Sequence, residues 1–258
     1  VVNGRSKVLS VMVLTEDSGS DAYMTVRALA KEMLKLLVPG TQTDRIGFTP
    51  LEDASAQRAM HGNTWKSTAS ADVHVIRLLI RTIVNEMLKP NGFVLYHIDG
   101  DRSWAEQSSS ENVRKFRERM LPPIQAALRQ ELTKRHVPEN LHAEHMKRLR
   151  LLVPFYSIEA WLYQNTREAI RLCAEEGCKR CRPKLEQWMQ SRASLDEVPQ
   201  PKEELCLRDK YNAQLASTSF PAREVEAAGA SFAHAVEGLL DCDELTSALE
   251  RTYSSSPP

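Results

Sequence analysis

The run Gly92-Phe93-Val94-Leu95-Tyr96-His97-Ile98-Asp99-Gly100-Asp101 joins a hydrophobic stretch to a pair of acids. Residues 93–98 are rich in β-branched and aromatic side chains, which predicts a buried strand. Asp99 and Asp101 follow at its C-terminal end, one residue apart. In extended backbone, residues i and i+2 point to the same face. Two carboxylates set that way repel each other unless a cation lies between them. Gly100 leaves room for a close approach, and hard cations such as Mg²⁺ or Mn²⁺ take carboxylate oxygens.

A second stretch has the same design. Lys7–Leu14 predicts a strand, and it too ends in acid, at Thr15-Glu16-Asp17. A Ser18-Gly19-Ser20-Asp21 turn leads into a helix over 20–37, with Ala22, Val26, Leu29, Met33 and Leu37 at helical spacing and Ser20 as its N-cap. If both strands belong to one parallel sheet, their C-terminal ends share an edge, which is where open α/β sheets bind ligands. Glu16, Asp99 and Asp101 would then converge on one cation.

The rest of the chain repeats the alternation. Arg45–Leu51 predicts a weaker strand, and 52–72 is polar and irregular, with His61–Ser67 as a surface loop. A helix over 72–88, apolar at Ile76, Leu79, Ile80, Ile83 and Met87, stops at Pro90-Asn91-Gly92. Residues 102–110 are Ser-rich and expected to be mobile. A helix over 111–120 runs into Pro122-Pro123, expected to break or kink it, before another over 124–135. Arg150–Val153 predicts a fourth strand, and Ser157 an N-cap for a helix from Ile158. Strands alternating with helices indicate an α/β fold, a parallel sheet flanked by helices. From 177 the pattern changes. Residues 191–204, with Pro199, Pro201 and several acids, read as a linker or loop, followed by helices over 205–216 and 222–251. The organisation expected is an α/β domain over 1–176 with a helical C-terminal extension over 177–258 packed on it, ending in a disordered tail over 254–258.

Composition narrows the class. Thirty-four basic and 34 acidic residues in 258 cancel, so net charge argues neither for nor against nucleic acid. No apolar run reaches the roughly 18 residues of a membrane helix, and no signal-peptide pattern opens the sequence. Five cysteines without framework spacing fit a reducing compartment, and a cytoplasmic protein is expected. Charge is uneven along the chain: 111–150 carries roughly twice as many Lys and Arg as Asp and Glu, with Arg114, Lys115, Arg117 and Arg119 in one cluster and Lys147, Arg148 and Arg150 in another. Such clusters suit a phosphate-backbone partner, DNA or RNA, and equally suit a solvated helix face.

A lone Glu after the first strand, an Asp-x-Asp after a later one and helices between them resemble the TOPRIM pattern of topoisomerases, primases and overcoming-lysogenization-defect (OLD) nucleases. The run Pro154-Phe155-Tyr156-Ser157-Ile158-Glu159-Ala160-Trp161-Leu162 is similar to the RloB-type bacterial TOPRIM-like proteins, often tied to phage defence, and Ala230-Ser231-Phe232-Ala233 is loosely similar to their tail. The resemblance covers about residues 7–165, and more faintly to 251. It implies Mg²⁺-dependent cleavage of phosphodiesters, with Glu16 as first acid, Asp99 and Asp101 as the Asp-x-Asp, and Glu159 as the acid of a helix start. The sequence departs from the pattern twice: Asp17 stands where Gly usually follows the first acid, and Gln164-Asn165 stand where an Asp is common.

On this reading Asp99 is a direct metal ligand and Asp101 a direct or water-mediated one. Glu16 is a ligand or a general base, and Glu159 completes a second metal site or an outer shell. Asp21 is a further candidate ligand or a helix-dipole partner. Arg102 and Lys202 are candidate cations for developing charge, and His97 either assists the site or belongs to the core. Asp and Gly are also ordinary turn formers, so a capping loop accounts for 99–101 as well. Cys173, Cys178 and Cys181, with Cys206 as a fourth ligand, suggest Zn²⁺, though no second paired knuckle stands beside Cys178-x-x-Cys181. His136, His142 and His145 read as surface residues. Trp65 and Trp104 lie in polar contexts from which they could stack on bases. No P-loop and no Gly-x-Ser-x-Gly elbow occurs. The expectation is a metal-dependent nuclease of DNA or RNA in bacterial anti-phage defence. Two alternatives remain: a phosphohydrolase of the haloacid-dehalogenase type with Asp99 as nucleophile, and a TOPRIM-like module with a vestigial site that docks to a partner ATPase.

Overall fold

The computed structural model describes residues 7–17, 19–191, 195–207 and 211–253; the predicted tail over 254–258 lies outside them. The first half comprises β1 (Leu9–Thr15), α1 (Ser20–Leu37), β2 (Ile46–Thr49), α2 (Ser70–Met87), β3 (Gly92–His97), α3 (Leu121–Lys134) and β4 (Leu149–Leu152). The four strands form one all-parallel sheet in the order β2-β1-β3-β4, flanked by helices, so the α/β architecture is as expected.

Period-two alternation divides the strands between two cores. Leu9, Val11 and Val13 of β1, with Phe93 and Leu95 of β3, face one layer that includes Val26, Leu29 and Met33 of α1. Met12 and Leu14, with Val94 and Tyr96, face the other, against Leu79, Ile83 and Met87 of α2 and Ile124, Leu128 and Leu132 of α3. Because both faces are covered, the strands read as continuous apolar runs.

Local details depart from expectation. Gly19, not Ser20, caps α1, and Ser20 is its first helical residue. Residues 54–60 and 64–66 form short helical turns, and within the loop expected over 61–67 His61, Asn63 and Lys66 are exposed while Gly62 and Trp65 are buried. Trp65 is buried, donates its indole N–H to the Ala59 carbonyl at 2.6 Å, and meets Tyr96 and Phe116 edge-on. Residues 104–109 form a 3₁₀ turn in which Trp104 packs against Phe155 and His234. Neither tryptophan is arranged as a free stacking platform. Pro122 and Pro123 do not break the helix. They sit in the first turn of α3, and the chain reaches them through a π-helical turn, Phe116–Met120, which accommodates the missing donors.

The second half adds α4 (Thr166–Glu175), α5 (Cys181–Ser191), α6 (Asn212–Ser217), α7 (Ala222–Ala228), α8 (Ala230–Leu240) and α9 (Asp243–Tyr253). The stretch expected as one helix over 222–251 is three, divided at Gly229 and at Asp241-Cys242. The helix expected over 205–216 is described only from Asn212 onward, and 205–207 are not helical. In the stretch expected as a linker or loop over 191–204, Leu195–Glu197 and Pro201–Glu204 form short turns; Leu195, Asp196 and Pro201 are buried, while Glu197, Pro199, Gln200, Lys202, Glu203 and Glu204 are exposed. Leu215, Phe232, Val236 and Leu249 share the α1-side core with the sheet, and α6 packs against α1. Among the described residues, no helix is long and apolar enough to cross a membrane.

Two polar clamps tie the halves together. The Trp161 indole donates to Ser231 Oγ at 2.6 Å, and Ser231 donates through Oγ and its amide to the buried Asp196 carboxylate at 2.5 and 2.8 Å. Buried Asn165 donates through Nδ2 to the Leu215 and Thr218 carbonyls, both at 2.9 Å. A carboxylate there would have no proton to give either carbonyl, which accounts physically for Asn at this position.

Candidate active site

β1 and β3 are neighbours in register, Thr15 opposite His97, so the two strands end level. Glu16 follows the first end and Asp99 the second. The Asp99 amide donates to Glu16 Oε2 at 3.1 Å, joining acids 83 residues apart. Partial burial, followed by the negative charge of Asp99, raises the Glu16 pKa to about 7; the Asp99 amide and His97 oppose the rise, and Asp101 adds to it.

His97 continues the alternation of Phe93 and Leu95, so it occupies the last position of β3 facing α1. It is 4% exposed, and its Nε2 lies 3.2 Å from Asp99 Oδ1. The two are in ion-pair range but poorly aligned: neither ring nitrogen nor Asp99 Oδ1 has a well-directed hydrogen-bond partner among the described residues. Burial lowers the His97 pKa, but Asp99, Glu16 and Asp17 outweigh it and leave the imidazole above its ordinary value.

Asp101 does not continue the strand. Its φ of 55° lies in the left-handed region, where the i and i+2 rule no longer holds. The turn is fixed by Asp101 N–H donating to the Tyr156 carbonyl at 3.3 Å and Tyr156 N–H to the Arg102 carbonyl at 2.8 Å. The Asp101 carboxylate accepts from Asn112 Nδ2 at 2.5 Å, and the same amide reaches the Asp99 carbonyl at 3.2 Å. Partial burial and then Asp99 raise the Asp101 pKa. Nor does Gly100 leave open space. A Cβ there would lie 2.9 Å from the Phe155 ring and 3.1 Å from the Pro154 carbonyl, so glycine lets the 154–156 segment pass.

A cleft of about 540 Å³ opens beside Asp99, between the N-terminus of α1 and the sheet edge. His97, Asp99, Asp17, Asp21, Glu159 and Lys202 line it, so Asp17, Asp21, Glu159 and Lys202, all distant in sequence, reach the same space as Asp99. Glu159 is buried in the short helix Glu159–Leu162. Ser157, instead of capping that helix, donates to one Glu159 oxygen at 2.6 Å, while Asn212 donates to the other at 2.8 Å. Arg102 is exposed, donates to the Asp101 carbonyl at 3.0 Å, and does not line this cleft.

His61, Asn112 and Asn212 also belong to this neighbourhood and escaped the sequence reading. They lie in loops or at helix starts without a strand-end signature. The basic clusters are partly neutralised: Arg114 pairs with Glu118, Lys115 with Glu111, Lys147 with Glu144 and Arg148 with Glu244.

The acids share one rim, yet they do not form a closed ligand cage. Among the described residues, the group of three or more His, Cys, Asp or Glu with ligand atoms within 4.8 Å of one another is Cys173, Cys181 and Cys206, away from this rim. Cys178 stands beside them, its thiol pulled down to about 7, chiefly by the contact with Cys206 and then by the Cys181 and Arg180 amides. No protein-family model, no curated protein and no solved structure matches the chain.

Proposed function

We propose that this chain is a TOPRIM-like, Mg²⁺- or Mn²⁺-dependent nuclease that cleaves phosphodiester bonds of DNA or RNA. The observation that carries the reading is the Asp99 amide bound to the Glu16 carboxylate at the joint end of two parallel strands. Mg²⁺ usually takes only one or two protein carboxylates and keeps several waters, so a closed three-acid cage is not required. Asp99, whose buried Oδ1 has no well-directed hydrogen-bond partner among the described residues, fits as the direct ligand, with Glu16 beside it. A bound cation would polarise the phosphate and make a bound water more acidic.

The protein groups then divide the work. Glu16, beside Asp99 at the strand ends, accepts the proton of the attacking water. His97 holds Asp99 from the core side. Lys202 offsets phosphate charge from within the cleft. Glu159, held by Ser157 and Asn212, shapes the floor. A setting in anti-phage defence rests on the resemblance of the 154–162 run. A second reading, a TOPRIM-like module docking to a partner ATPase with a degenerate site, is favoured by the lack of convergence among the acids.

Plasmid, single-stranded DNA and tRNA incubated with the protein and Mg²⁺, Mn²⁺ or EDTA separate these readings. The nuclease reading expects metal-dependent cleavage that Asp99→Asn abolishes and Lys202→Ala weakens. No cleavage of any substrate with either metal would leave the docking module as the better account.

A further inference from the structure

We propose that Cys173, Cys178, Cys181 and Cys206 form a structural zinc site that clasps the α4–α5 turn to the segment preceding α6. The site is independent of the acidic rim. Its first half is built by a helix end. Gly177, with φ of 70°, ends α4: Gly177 N–H donates to the Ala174 carbonyl at 3.0 Å and Cys178 N–H to the Cys173 carbonyl at 2.9 Å. This is the Schellman pattern, which sets the residue after the glycine against the residue five positions before it. It therefore brings Cys178 back toward Cys173. Cys181 opens α5 and completes a Cys-x-x-Cys knuckle.

Cys206, the fourth ligand offered by the sequence, comes from 25 residues after Cys181. Cys206 Sγ lies 3.3 Å from Cys173 Sγ, and Cys178 Sγ lies 3.6 Å from Cys181 Sγ. Tetrahedral zinc with Zn–S bonds of about 2.3 Å separates its sulfurs by about 3.8 Å; the Cys173, Cys181 and Cys206 sulfurs lie within 4.8 Å of one another, and Cys178 joins that group through Cys181. The Cys206 amide donates to Cys181 Sγ at 3.0 Å, which holds the segment carrying Cys206 against the knuckle. No pair among these cysteines is a disulfide. Four thiolates around Zn²⁺ leave a net negative charge, and Lys179 and Arg180 lie in the same turn to offset it. The clasp also fixes the Pro201–Glu204 turn, which presents Lys202 to the cleft.

The test is the metal content of the full chain after reconstitution with Zn²⁺ under reducing conditions and gel filtration. The expected result is one zinc per chain, with a sulfur-rich tetrahedral absorption spectrum when Co²⁺ replaces it. Cys178→Ser/Cys206→Ser should lose the metal, whereas Asp99→Asn should keep it. If the double variant fails to fold, release of zinc from the wild-type chain by a mercurial thiol reagent, read with a chromogenic chelator, answers the same question. Less than a tenth of a zinc per chain, an intact mass showing disulfides among these cysteines after purification, or loss of zinc in Asp99→Asn would each overturn the proposal.

Discussion

Replacing Glu16 by Gln should stabilise the protein at pH 8 and leave its stability unchanged at pH 4. The folded-state pKa of Glu16 is about 7 against an ordinary value of 4.5. Below pH 4.5 both folded and unfolded chains carry the protonated acid, and no penalty exists. Between 4.5 and about 7 the unfolded chain ionises while the folded one holds its proton, so stability falls by about 1.36 kcal/mol per pH unit. Above that range the loss is complete. The interval of about 2.5 pH units sets a ceiling of about 3.4 kcal/mol. Glu16 is only partly buried, and screening by water brings the expected gain to about 1–3 kcal/mol. Gln keeps an oxygen to accept from the Asp99 amide, so the exchange is close to isosteric. His97 is also raised, by Asp99 and then by Glu16, and contributes stability that is lost as pH rises through its folded-state pKa; Gln removes the Glu16 share of it, which trims the gain wherever His97 is protonated. Urea unfolding at a series of pH values gives the two curves. If they run parallel from pH 4 to 8, or if Gln is the less stable at pH 8, the electrostatic account of this rim is wrong.

Other substitutions test the scaffold. Asn165→Asp removes two buried hydrogen bonds and turns a carboxyl toward two carbonyls; it should cost about 3–5 kcal/mol, read by urea unfolding. Ser231→Ala cuts the chain from Trp161 to Asp196 and should cost about 2–4 kcal/mol, with a change in tryptophan fluorescence. Gly100→Ala forces a methyl group against Phe155 and Pro154, and should cost about 1–3 kcal/mol while displacing Asp101, seen as a shifted backbone amide resonance of Asp101.

The parallel sheet was legible because β1 and β3 are predominantly apolar and are followed by acids, and because α1 and α2 carry apolar stripes at helical spacing. Glu16 and Asp99 followed from that pattern, since strand order and parallel pairing bring their ends together. Asp101 was misjudged because its direction depends on the 156 segment, which holds it in a left-handed turn, a tertiary cause invisible to local spacing. Trp65 was misjudged because its neighbours are polar while its burial comes from Tyr96 and Phe116, far away in the chain. The cleft lining from His61 and Asn212 had no sequence signature, as each arrives from a segment placed by packing.

Counting Mn²⁺ bound per chain by electron paramagnetic resonance bears most directly on whether the acids after β1 and β3 serve a single cation. Titration of the wild-type protein, Asp99→Asn and Glu16→Gln would settle the matter at constant zinc content. The expected result is one saturable Mn²⁺ in the wild type, lost in Asp99→Asn and weakened in Glu16→Gln. Mn²⁺ bound equally by all three proteins, or by none, would contradict it.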